Sequence, residues 1–267
     1  MKKISFLKLF VLLAMSTPCF ADTIHVPGDQ PTIQTGIDAA VNGDIVLVAP
    51  GSYLENVNFN GKVIILKSSG GSEVTTIDGG YSADPDFGST VTFNHAETSD
   101  TILDGFTIFN GTGTLHQYTS SQEFLCGGGI FCDIASPTVK SCVFDNNTAH
   151  RGGGVSCWQG NMKISDCTFL ANYTDSYGSG MDLYKGDAEI EATHFLNNVA
   201  ASSATLNVWD STLIVMDCTF FRNGTIYGGS AGIDNIGGSD TIISRCVFEK
   251  NTGTAVHNTS SLKMDYC

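Results

Sequence analysis

The chain has 267 residues and carries 13 Lys and Arg against 27 Asp and Glu, a formal net charge of −14. A surface that acidic repels nucleic acid and anionic lipid and would need a divalent cation to hold a polyanionic glycan, which leaves neutral ligands and calcium-bridged ones. With 42% hydrophobic residues, 15% charged and 30 glycines, the composition excludes a disordered chain and a coiled coil and supplies a long core.

Residues 1–21 read as an export signal: Lys2, Lys3 and Lys8 precede or flank the apolar LFVLLAM, and Phe20-Ala21 before Asp22 offers a cleavage point. Cleavage there removes three basic residues and no acid, taking the charge to −17. That apolar stretch is too short to cross a bilayer, and no later segment approaches the roughly 18 consecutive apolar residues a spanning helix needs. The mature chain, 22–267, is therefore expected outside the cytoplasm, whether periplasmic, extracellular or on the cell surface, with no membrane span.

The first element, about 31–42, is predicted as a capping helix. Pro31 suits a first turn, Ile33, Ile37, Ala40 and Val41 share one face, and Asn42-Gly43 ends the helix. A strand over Ile45–Val48 follows, turned by Pro50-Gly51. A short helix ahead of the first strand covers an apolar end and an open edge, as the end of a solenoid requires. Short β-rich pieces begin at Val63, Thr75, Thr90 and Thr101. Residues 112–124 interrupt the rhythm and read as a loop projecting from one face, a place where solenoids carry function.

Two phrases then recur in phase. CVFDNN, CTFLAN, THFLNN, CTFFRN and CVFEKN place Phe144, Phe169, Phe195, Phe220 and Phe248 at steps of 25, 26, 25 and 28 residues. A small-residue phrase ending in Ile130, Val155, Met181, Leu206, Ile233 and Val256 keeps the same beat. In-phase repeats of that length mean a solenoid of stacked coils. Alternation sends the apolar residue inward and Phe131, Ser156, Asp182, Asn207, Asp234 and His257 outward. The repeat Asn (Asn147, Asn172, Asn197 or Asn198, Asn223, Asn251) is expected at a turn, in left-handed geometry. Cys142, Cys167, Cys218 and Cys246 share one slot, and Cys132 and Cys157 another. Stacked about 4.8 Å apart with parallel side chains they are too far apart for disulfides and read as small buried fillers, whereas Cys126 could pair or react. The final SLKMDYC begins another strand with no closing cap, so a partner or further module is expected at that end.

These residues resemble those of secreted right-handed parallel β-helix proteins of the pectin-lyase-like type. TIQTGIDAAVNGDIVLVAPGSYLENVNF is similar to their amino-terminal cap and first rung, and ILDGFTIFNG to a common rung. The GGGI and FxxN phrases resemble repeats of polymorphic outer-membrane proteins. The resemblance implies an all-β, right-handed parallel β-helix over 22–267. It implies no single activity, because lyases, hydrolases, epimerases, tailspikes and adhesins share that fold. The catalytic phrases of pectate lyases and polygalacturonases are missing here.

Trp158, Tyr184 and Trp209 lie three residues beyond the apolar position on consecutive rungs, beside Asp182 and Asn207. Flat rings next to hydrogen-bonding side chains suit a sugar, so these five residues are the candidate carbohydrate-binding set for a polysaccharide or cell-surface glycan. Asp182 and Asp234, two rungs or about 9.6 Å apart, stand near the carboxyl spacing of inverting glycosidases, and His257 is the histidine of this face; they are the weaker catalytic candidates. Asp78, Asp84 and Asp86 could hold calcium on a Gly-rich turn, although such turns are commonly plain loops, and no cofactor is expected. No histidine pair has zinc-ligand spacing, so no metal site is assigned. The function expected is thus an exported, non-catalytic glycan-binding or surface-interaction protein. The alternatives are a polysaccharide lyase or glycoside hydrolase using the same face, and an adhesin or outer-membrane repeat fragment.

Overall fold

The computed structural model describes residues 21–119 and 121–267; residues 1–20, which hold most of the expected export signal, lie outside them. Successive turns of the chain add strands to four sheets. One has ten strands, from Thr23–Val26 to Ser261–Asp265, two have eight, and the fourth has seven. In the first three, neighbouring strands pair in parallel and in register, so Phe144, Phe169, Phe195, Phe220 and Phe248 occupy one column. The result is an all-β parallel solenoid with one short helix among the described residues.

The core is built from columns rather than from a single cluster. Consecutive Phe rings stack with centroids 4.4–4.8 Å apart. Beside them runs a ladder of buried asparagines. The Nδ2 of Asn147 donates to Asn172 Oδ1, Asn172 to Asn198, Asn198 to Asn223 and Asn223 to Asn251, at 3.0–3.1 Å. Each acceptor Oδ1 also takes the backbone N–H of the preceding ladder residue. The expected left-handed turn is displaced by one residue: positive φ falls on Asn146, Ala171, Asn197, Arg222 and Lys250, each just before the ladder residue. The ladder Asn recurs in phase because it satisfies buried backbone, and the corner falls to whatever residue precedes it.

The shared cysteine slot has a similar explanation. Cys142, Cys167, Cys218 and Cys246 are free and buried, and each Sγ sits 3.1–3.3 Å from the carbonyl two residues earlier. Thr193 replaces cysteine on one rung and donates its hydroxyl to the equivalent carbonyl, that of Glu191, at 2.8 Å. The slot therefore selects a small weak donor. Cys132 and Cys157 approach to 3.7 Å between sulfurs, well beyond a disulfide bond.

At the amino end the helix, α1, spans Ile33–Ala39, shorter than expected, and Pro31 lies ahead of the N-cap Thr32 rather than in the first turn. The first rung holds both of its ends. Glu55 accepts from the N–H groups of Ile33 and Gln34, and Lys62 Nζ donates to the carbonyls of Ile37, Asp38 and Ala40. An anion at the amino end and a cation at the carboxyl end oppose the helix dipole, so seven residues suffice.

Residues 112–124 are not a loose projection. Gly113–Thr119 and Gln122–Cys126 form an antiparallel hairpin whose second strand joins the stack through Cys126 beside Arg151. The hairpin folds back over the outward side of the GGGI strands, and this defines the candidate site.

Candidate functional site

The GGGI strands carry two outward columns in register. Ser156, Asp182, Asn207, Asp234 and His257 form one, and Asp133, Trp158, Tyr184, Trp209 and Ile236 the other. The three aromatics expected to line up do so, but they are not equally open. His116 packs on Trp158 and Phe131, while Tyr118 packs on Trp158 and Tyr184. Trp158 is consequently 3% exposed, with its indole N–H on Ser156 Oγ, and Tyr184 is half-buried. Only Trp209, beyond the hairpin, keeps 41% exposure. The expected exposed column is thus corrected. The ring of Trp158 is a hydrophobic seat for the hairpin, and the surface of the row is at Trp209.

Beneath the hairpin lies a charge. Arg151 Nε stands 2.9 Å from Asp182 Oδ2, a charge contact not aligned as a hydrogen bond, and Nη2 donates to Asp182 Oδ1 at 3.2 Å. Asn207 Nδ2 donates to the same Oδ1 at 2.6 Å. Burial works against the Arg151 charge, but Asp182 and Tyr118 outweigh it and hold the guanidinium above its ordinary value. Its Cζ also lies 5.2–5.8 Å from the ring centroids of Tyr118, Trp158 and Tyr177. Asp182 is fully enclosed and bound to this arginine, so it cannot serve with Asp234 as an exposed acid and base on one substrate; that expectation is corrected by the ion pair.

Between the hairpin and Trp209 opens a cleft of about 240 Å³ lined by Tyr118, Arg151, Tyr177, Asn207, Trp209 and Ile236. Asn207 Oδ1 is buried and has no hydrogen-bond partner. A second, shallower cleft of about 510 Å³ lies further along the same column. There Asp234 accepts from Ser203 Oγ through Oδ2 and contacts His257 Nδ1 through Oδ1, both at 2.6 Å. A proton on Nδ1 shared with that carboxylate leaves Nε2 as an acceptor or base.

Other residues singled out by sequence fall elsewhere. Asp78 Oδ1 accepts from the Gly80 N–H and Asn110 Nδ2, and Asp84 Oδ1 from the Asp86 N–H, so Asp78 and Asp84 stabilise local backbone. Among the described residues no three His, Cys, Asp or Glu side chains gather as metal ligands. Cys126 is neither paired nor activated, because burial pushes its thiol up to about 12. No helix among the described residues is long and apolar enough to cross a membrane.

Arg151, Tyr177 and Ser203 were missed by sequence reasoning, yet they carried a signal. Cys126, Arg151, Tyr177 and Ser203 occupy one register position, just before the small-residue phrase of each rung. A column of that mixed character at a fixed phase marks the wall of both clefts. Tyr118 and His116 carried no such signal, because they sit in the insertion that has no repeat.

No family model matches the chain. Over 127 residues it is 32% identical to a metabotropic glutamate receptor-like protein R of Dictyostelium discoideum, a match spanning 47% of this chain and 6% of that protein. The match thus spans only a small part of that relative's length. What the geometry itself defines is a parallel β-solenoid with one aromatic face half covered by a hairpin.

Proposed function

We propose that this is an exported right-handed β-helix protein that binds a carbohydrate in the cleft between the hairpin and Trp209, without turning it over. The observation that supports this reading is the open ring of Trp209 beside Tyr118 and Tyr177, above the enclosed Arg151, Asp182 and Asn207. An aromatic wall packs against the C–H face of a sugar while polar groups at the base meet its hydroxyls. The experiment is a glycan array probed with wild type and Trp209→Ala. Wild type should retain a defined set of glycans and the variant should lose them by about tenfold or more. If wild type retains none, the glycan reading falls and a spacer role in an adhesin takes its place.

A second reading rests on the other cleft. In that reading His257, 2.6 Å from Asp234, would serve as the general base of a polysaccharide lyase or glycoside hydrolase. Incubation with polysaccharides should then release unsaturated or reducing ends, and His257→Ala should abolish that release while leaving retention at Trp209 intact.

A further inference from the structure

The cleft at Trp209 is chemically biased in a way that narrows its occupant. Arg151 is the charged side chain on its wall, and that charge is already matched by Asp182, which is itself enclosed. Asn207 is orientated by the same carboxylate. With its amide nitrogen 2.6 Å from Asp182 Oδ1, the opposite flip would set oxygen against oxygen, so Oδ1 is fixed as the atom left over. That oxygen is buried, unpartnered and part of a residue that lines the cleft. An unmet buried acceptor is unfavourable, and a donor that reaches it recovers most of the loss.

We propose that the occupant is a neutral sugar unit that presents a hydroxyl donor to Asn207 Oδ1, and that the site discriminates against uronic acids. This inference rests on the carbohydrate reading above. A hydroxyl can donate to Oδ1 while its own oxygen accepts from the guanidinium. A carboxylate can only accept, so against Asn207 it sets like partial charges together, and at Arg151 it meets a charge that Asp182 already neutralises. The overall charge of −14 opposes acidic sugars as well, but only over long range, and salt separates the two effects.

The test uses an array of uronic oligosaccharides of galacto, manno, gulo and gluco configuration, each beside its carboxyl-reduced counterpart, so that the members of a pair differ only by carboxylate against hydroxymethyl. Retention is measured at 0.15 M and at 1 M NaCl, where the Debye length falls to about 3 Å and long-range repulsion is screened. The expected result is retention confined to reduced members, with a preference of at least about tenfold that survives 1 M salt. Asn207→Leu, which keeps the side-chain volume and removes the acceptor, should reduce that preference. Acidic members held as tightly as their reduced partners at 1 M salt overturn the inference while leaving glycan binding in place. A preference that vanishes at 1 M salt also overturns it and assigns the bias to net charge. Failure of every glycan to bind, on this array and the broader one, overturns both readings together. The wild-type comparison decides the charge class even if the variant does not fold.

Discussion

Replacing Asn198 by Ala tests whether the repeat asparagines act as a ladder or as turn formers. Asn198 Oδ1 accepts from the N–H and Nδ2 of Asn172 at 3.0 Å each, and its Nδ2 donates to Asn223 Oδ1 and to the Phe169 carbonyl. Truncation leaves the buried Asn172 N–H with no side-chain acceptor and takes a donor from the Phe169 carbonyl. Asn172 Nδ2 keeps the Phe144 carbonyl, and Asn223 Oδ1 keeps the Asn198 N–H. Two weakened buried groups at about 1–3 kcal/mol each predict a loss of about 2–6 kcal/mol. The control is Asn197→Ala, at the exposed left-handed corner with φ of 55°. Alanine already occupies the equivalent corner at Ala171, so that change should cost about 1 kcal/mol or less. Urea unfolding compares the midpoints, and hydrogen exchange reads the Asn172 amide directly, which matters because a long solenoid need not unfold in one step. Equal midpoints for the two variants, with the Asn172 amide still protected in Asn198→Ala, would refute the ladder argument.

Two further outcomes follow from side chains already placed. Of the eight cysteines from Cys126 to Cys267, only Cys267 is exposed, so a folded sample should titrate about one thiol with an aromatic disulfide reagent and a denatured one all eight; protection from reagent in the denatured state would mean disulfides and sink the filler reading. Burial lowers the His116 pKa, with Asp133 opposing, so protonation favours the undocked hairpin. The contribution of His116 is complete above its ordinary value of 6.5 and is lost as pH falls from there toward its lower folded value. Burial raises Asp133, which acts oppositely, adding stability as pH falls through its folded value toward 3.8. Emission from Trp158, sealed under the hairpin, should therefore shift to the red as pH falls just below 6.5, and His116→Gln should remove that shift. A shift that is unchanged in His116→Gln would assign it to another group.

Period alone made the fold legible. The Phe column, the inward apolar column and the register of Trp158, Tyr184 and Trp209 all follow from counting, because parallel in-register pairing converts equal spacing into vertical stacking. Counting could not separate pointing outward from being exposed. Ser156, Asp182 and Asn207 leave the core as alternation requires, yet each is almost completely buried, since the covering hairpin comes from residues that have no phase. The Asn repeat was visible for the same reason as the Phe repeat. Its role was misplaced by one residue, because a left-handed corner and a side-chain ladder sit adjacent and both favour asparagine.

The location of the clefts follows from the same break in the repeat. A uniform stack offers identical surface on every rung, so a site requires something that differs between rungs. The hairpin supplies it, because its rings close the outward columns over the rungs of Phe131, Trp158 and Tyr184 and stop short of Trp209. Covering those rungs buries polar positions of the outward column, and burial requires that they be paired. Arg151, arising in a slot that holds Cys126, Tyr177 and Ser203 on neighbouring rungs, meets Asp182 and removes the isolated charge. Asn207 completes the pair from the next rung, at the edge of the cover, and is left with one unmet oxygen where the cleft begins. The unmet group and the open aromatic ring therefore coincide for one geometric reason: both mark the rung at which the hairpin ends.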